Sequence, residues 1–134
     1  MQWDSTLECG VELVDNEHRE LFRIVESLSK NEKEGVEAAL SKETLDFLGE
    51  YVATHFKHEE ALMQECAYPY ASEHQQLHAK FVQTFLNLKE KYEKNGESKK
   101  MTKEIYHSTM SWLINHIQVI DMRFTQYYRN RNEM

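Results

Sequence analysis

The sequence predicts an all-α protein: an antiparallel up-down-up-down four-helix bundle with an N-terminal arm and a short C-terminal helix. Only one proline and four glycines interrupt 134 residues, which leaves long segments of good helix formers. Apolar residues recur in steps of three and four, as in Leu45, Leu48, Val52 and in Phe81, Phe85, Leu88. That period lines them up on one face of a helix. The breaks between such stretches are short, and short connections make successive long helices antiparallel neighbours.

Taken in order, residues 1–15 mix Trp3, Asp4, Ser5, Gly10 and Asp15 without lasting periodicity and read as an ordered arm, with Trp3 tucked onto the core. A first helix runs from Asn16 to about Asn31, carrying His18, Leu21, Phe22, Val25 and Leu28, with Asp15 or Asn16 as its N-cap. The stretch Asn31 to Gly35 breaks it, and a second helix runs from about Val36 to Glu65 with Leu40, Leu45, Leu48, Val52, His55, Glu59 and Leu62 inward. After Tyr68-Pro69, Ser72 and Glu73 open a third helix holding His74, Leu77, His78, Phe81, Phe85, Leu88 and Tyr92. Asn95-Gly96 supplies the next turn. A fourth helix from about Lys99 turns Met101, Ile105, Thr109, Trp112 or Leu113, and His116 inward, and the tail from Met122 forms a short fifth helix. One domain is expected over residues 1–134.

Composition narrows the function. Sixteen Lys and Arg against 23 Asp and Glu give a net charge of −7, which repels nucleic-acid phosphates and anionic lipid. Lys99, Lys100 and Lys103 read as a solvated first turn. The first residues lack the basic and apolar regions of a secretory signal, and no run reaches membrane-spanning length. Two cysteines, Cys9 and Cys66, are too few for a disulfide framework and read as free thiols of a reducing cytoplasm. A cytoplasmic monomer without nucleic-acid or membrane partners is the expectation.

The chemistry concentrates between His55 and His78. His55 and Glu59 lie four residues apart, as do His74 and His78, so each pair projects from one helix face. Both pairs sit inside apolar stripes, and burying such groups without partners costs roughly 2–7 kcal/mol each. His18 and His116 share the inner faces of their own helices, so all four helices contribute a ligand-type side chain to the interior. His116 and Asp121 are five apart, about 140° out of phase on an ideal α-helix. Either the helix ends or widens there into a π-type turn, or Asp121 is not a co-ligand.

Seven such side chains exceed what one ion needs. If Glu59 and Asp121 bridge two metals they supply four bonds, five imidazoles add five, and a solvent-derived bridging oxygen adds two. Eleven of the twelve positions of two octahedral ions are then filled, and the vacant one suits a small diatomic ligand. Imidazole with carboxylate suits iron, and also zinc or copper. Rival motifs fail: His58-Glu59-Glu60-Ala61-Leu62 lacks the second histidine of H-E-x-x-H, and only Glu104 to His107 matches the Glu-x-x-His of ferritin-like sites. There is no C-x-x-C, Gly-rich phosphate loop or G-x-S-x-G. His58 and His107 read as surface histidines, and Met63, Met101, Met110 and Met122 as core fillers.

These residues resemble the hemerythrin family, specifically its bacterial single-domain members. The matching pieces are Trp3, Val14-Asp15-x-x-His18, His55-Phe56-x-x-Glu59-Glu60-x-x-Met63, Tyr68-Pro69, His74-x-x-x-His78 and Trp112-Leu113-x-x-His116-x-x-x-x-Asp121. The family pattern includes the five-residue step from His to Asp, which favours the widened turn. Glu17 departs from it, standing where the family often has Gln.

The resemblance implies reversible dioxygen binding, as carrier, store or sensor, at two iron ions joined by an oxo or hydroxo bridge. His74, His78 and His116 would hold the saturated iron, His18 and His55 the iron with the open position, and Glu59 and Asp121 would bridge them. Dioxygen would bind end-on and take two electrons and the bridge proton. Leu21, Phe56, Trp112, Leu113 and Ile117 would wall the pocket, and a redox partner would re-reduce the site. The alternative is a di-iron enzyme, an oxidase, peroxidase or nitric oxide reductase, or an iron store. Five neutral imidazoles against two carboxylates favour binding over oxidation, since high-valent iron is best stabilised by anionic donors.

Overall fold

The computed structural model describes residues 3–33, 42–96 and 98–132. Within them the architecture is the predicted one: α1 (Glu12–Lys33), α2 (Lys42–Glu65), α3 (Ala71–Asn95), α4 (Lys99–Asn115), a π-helical segment (His116–Asp121) and α5 (Met122–Asn132). α1 packs on α2 and α4, and α3 on α2 and α4, which closes the ring of a bundle. Cross-helix contacts fix the directions. Glu17 meets His55 while Val25 shares a cavity wall with Leu48, and Gly49 faces Phe85 while Glu59 faces His74. Tyr106 donates to Glu26 while His116 and His18 both reach Asp121. In every pair rising numbers on one helix meet falling numbers on the next, so neighbours are antiparallel.

Local chemistry sets the ends. The arm contains a 3₁₀ turn (Ser5–Leu7) capped by Asp4, which accepts from Thr6 N at 2.8 Å. Trp3 packs edge-on against Phe22 with ring centres 5.8 Å apart, as expected for a tethered arm. α1 begins earlier than the sequence suggested, so Asp15 and Asn16 are not its N-cap. Asp15 lies inside the first turns and reaches back to accept from Cys9 N at 2.8 Å and Gly10 N at 3.1 Å. Its carboxylate ties the arm to the helix instead of opening it. The expected break at Asn31 is helical as far as Lys33, and Val36 and Leu40 lie outside the described residues.

α2 ends in a Schellman motif. Tyr68 N donates to Met63 O, Ala67 N donates to Gln64 O, and Ala67 takes the left-handed conformation at φ 53°. Tyr68 and Met63 belong to one buried cluster, the apolar contact that accompanies this cap. Gly96, at φ 74°, closes α3 by donating to Tyr92 O, and Ser98 caps α4 by accepting from Met101 N at 3.0 Å.

Two apolar clusters result. The larger runs through the upper bundle from Leu7 and Leu21 to Leu113 and Ile117. The smaller gathers Met63, Cys66, Tyr68 and Phe124, with Tyr127 and Tyr128 packed against it from α5. Between the two lies a layer of buried polar side chains.

Candidate metal centre

That layer consists of His18, His55, Glu59, His74, His78, His116 and Asp121, each 4% exposed or less. α1 contributes His18, α2 His55 and Glu59 from successive turns, and α3 His74 and His78. Residues 116–121 contribute the remaining two, and they do so as a π-helix. The wider turn absorbs the extra residue, so His116 and Asp121 face the same point with Nε2 and Oδ1 3.0 Å apart.

The two carboxylates divide their oxygens between two sets of imidazoles. Glu59 Oε1 lies 2.8 Å from His74 Nε2 and 3.3 Å from His78 Nε2, while its Oε2 lies 3.2 Å from His55 Nε2 and 3.9 Å from His18 Nε2. Asp121 Oδ1 lies 3.0 Å from both His74 and His116 Nε2, while its Oδ2 lies 2.9 Å from His18 Nε2. One cation-sized cluster therefore joins His74, His78, His116 and both acids, and a second joins His18, His55 and the same two acids.

The donor set fits metal better than hydrogen bonding. Neither oxygen of Glu59 or Asp121 receives an aligned N–H, although the nitrogens approach at hydrogen-bond length. His74 and His116 even turn Nε2 toward Nε2 at 3.2 Å. Donors about 2.1 Å from a shared ion sit about 3.0–3.4 Å from one another, the spacing seen here. Burial and the neighbouring Asp121 both push Glu59 upward, yet His55, His74 and His78 together hold it at about 2. Burial also opposes the ionised form of Asp121, and His116, His18 and His74 hold it well below the usual carboxylate range. Burial disfavours charge on His55, but Glu17 and Glu59 outweigh it and raise it to about 10. For His74 the same opposition ends at about 9, through Asp121 and Glu59. Two fully buried anions thus demand positive charge at the centre, which metal cations supply.

Aromatic faces back two of the imidazoles. Phe56 stacks on His78 at 3.8 Å and 4°, and Trp112 stacks on His116 at 4.3 Å and 15°. These contacts fix ring orientation without competing for nitrogen. A narrow void adjoins His18, His55, His116 and Asp121, walled by Leu21, Phe56, Trp112, Leu113 and further apolar residues. It has room for about one water-sized molecule. Ile117, expected in that wall, is fully buried in the large cluster instead and does not line the void. Thr109, read only as an inward position, is part of the wall.

Glu17 was legible only as a departure from a pattern. It is 12% exposed, with Oε1 3.0 Å from His55 Nδ1 and Oε2 2.7 Å from His58 Nδ1. Burial pushes its carboxyl upward, but the two imidazoles hold it below the ordinary value. His58 is exposed as expected, though engaged, and His107 is exposed. Cys9 and Cys66 are free and buried, and burial with the adjoining Asp15 pushes the Cys9 thiol up to about 12. Among the described residues no helix is long and apolar enough to cross a membrane.

Comparison with known proteins gives the same picture. The family model described as Hemerythrin HHE cation binding domain matches residues 9–128. A myohemerythrin of Theromyzon tessulatum is 32% identical over 123 residues, 92% of this chain and 89% of that protein. A bacteriohemerythrin of Pseudomonas aeruginosa is 26% identical over 128 residues, 96% of this chain and 81% of that protein. A hemerythrin-like protein of Naegleria gruberi is 32% identical over 122 residues, 91% of this chain and 88% of that protein.

Proposed function

The chain belongs to the hemerythrin family, and from that premise we propose that it binds dioxygen reversibly at two iron ions held by these seven side chains. His74, His78 and His116 would hold one ion and His18 and His55 the other, and Glu59 and Asp121 would be shared between them beside a solvent-derived oxo or hydroxo group. The observation that carries this reading is the division of each acid's two oxygens between the two sets of imidazoles. A single-ion site has no use for that arrangement. When bound, the iron pair supplies the electrons that dioxygen takes up and returns.

The chain's own residues do the rest. The void touches both His18 and His55, the pair with fewer imidazoles, and only His116 of the other set, so an open position would fall on the His18 and His55 side. Leu21, Phe56, Trp112 and Leu113 keep water from that face, and with it the protons that would turn bound ligand into released peroxide. Among the described residues, the Thr109 hydroxyl and the Trp112 indole are the polar groups of the wall outside the seven, and neither is an acid or base suited to cleave an O–O bond. That favours carriage, storage or sensing over an oxidase or peroxidase. Buried free thiols support a reducing cytoplasm, where a redox partner would re-reduce oxidised protein and the chain would act as a monomer.

The test is an iron assay with spectra before and after aeration of the reduced protein. Two irons per chain and a visible band that disappears when oxygen is withdrawn are expected. One iron per chain, or rapid bleaching with peroxide release, would overturn the reading. Leu113→Ala should keep both irons yet shorten the lifetime of the oxygenated protein on the order of tenfold, equivalent to ~1.4 kcal/mol in the barrier. An unchanged lifetime would show that Leu113 does not exclude water.

A further inference from the structure

We propose that Glu17 is a positioning residue of the metal centre, clamped from the solvent side by His58 and setting the orientation of His55. The inference rests on the assignment of His55 as a metal ligand. An ionised carboxylate only accepts hydrogen bonds. Glu17 Oε1, 3.0 Å from His55 Nδ1, therefore makes that nitrogen the protonated one and leaves the Nε2 lone pair aimed toward Glu59 and the centre. The other oxygen accepts from His58 Nδ1 at 2.7 Å, so both oxygens are held and the carboxylate cannot swing away.

The contacts span 38 and 41 residues of chain and fasten α1 to α2 beside the site. Glu17 also immediately precedes His18. One residue thus bears on both imidazoles of the smaller set: on His18 through the backbone and on His55 through its side chain. The other imidazoles are held differently. Nδ1 of His18, His74 and His78 has no aligned partner, and the carboxylate nearest His78 Nδ1 is Glu60, at 3.5 Å and 31% exposed. The two halves of the centre are therefore unequal: an anion stands close behind His55, and its counterpart behind His78 is looser and wetter. An anionic partner behind a ligating imidazole increases its donor strength. It favours the higher oxidation state of the ion that imidazole binds.

Anaerobic competition with a chelator for ferrous iron, together with midpoint potentials of the loaded protein, tests this without involving oxygen. Glu17→Ala should lose about 10–100-fold in iron affinity. Glu17→Gln keeps an acceptor for His55 Nδ1 but no charge. It should recover most of that affinity while its midpoint potential stays above that of the unsubstituted protein. Glu60→Gln should shift the potential less than Glu17→Gln. Unchanged affinity and potential in both Glu17 variants would overturn the proposal, as would equal shifts from Glu17→Gln and Glu60→Gln. Loss of the reversible oxygen band in protein that still binds two irons with these differences would instead count against the proposed function alone.

Discussion

Glu59→Ala is expected to abolish loading of the ion pair. Glu59 is fully buried and meets four of the five imidazoles, with Oε1 toward His74 and His78 and Oε2 toward His55 and His18. Its removal takes one anion from both ions at once and leaves Asp121 as the sole bridging carboxylate. Loss of outer partners alone costs about 10–100-fold in metal affinity, so loss of a shared ligand should exceed about 100-fold at each position. Iron content after gel filtration should fall from two atoms per chain to one or none. Glu59→Gln, which keeps the shape and discards the charge, should fall nearly as far because two buried cations lose one of the two carboxylate charges that face them. Two irons per chain in either variant would mean that Glu59 does not bridge.

The second large effect is on folding. A bundle that buries two carboxylates among five imidazoles is stabilised by whatever binds them in the folded state alone. At free iron about 100 times the dissociation constant each site contributes about 2.7 kcal/mol, so two contribute about 5 kcal/mol. For a chain of this size that corresponds to a rise of roughly 15–25 °C in Tm. Thermal melts of iron-loaded and chelator-treated protein compare the two states. Coincident midpoints would show that the polar layer satisfies itself without metal.

Much of this centre could be read from residue spacing because helices enforce phase. His55 with Glu59 and His74 with His78 needed only the repeat of the helix. The five-residue step from His116 to Asp121 announced that this repeat was broken, and the π-helical segment is the break. The clamp formed by Glu17, His55 and His58 was not legible. It depends on how closely α1 docks on α2, and no periodicity within one helix encodes a contact 38 residues away. The start of α1 was missed for a related reason. Asp15 suits an N-cap by composition, but the backbone it serves is the preceding Cys9–Gly10 turn. Ile117 was placed in the cavity wall by adjacency to His116, and adjacency alone does not decide which side chains reach a void: Phe56 and Leu113 line it beside His55 and Trp112, while Ile117 is buried in the core without lining it.

The stacking of Trp112 on His116 makes the chain its own optical gauge. The indole lies face to face with the imidazole at 4.3 Å and 15°, close to any electron or energy acceptor held at the Nε2 edge of that ring. Iron bound there would take up light absorbed by the indole before it is re-emitted. The second tryptophan, Trp3, sits edge-on to Phe22 on the arm. Emptying the centre should therefore brighten Trp112 fluorescence with no label attached, and in Trp112→Phe protein the brightening should largely vanish.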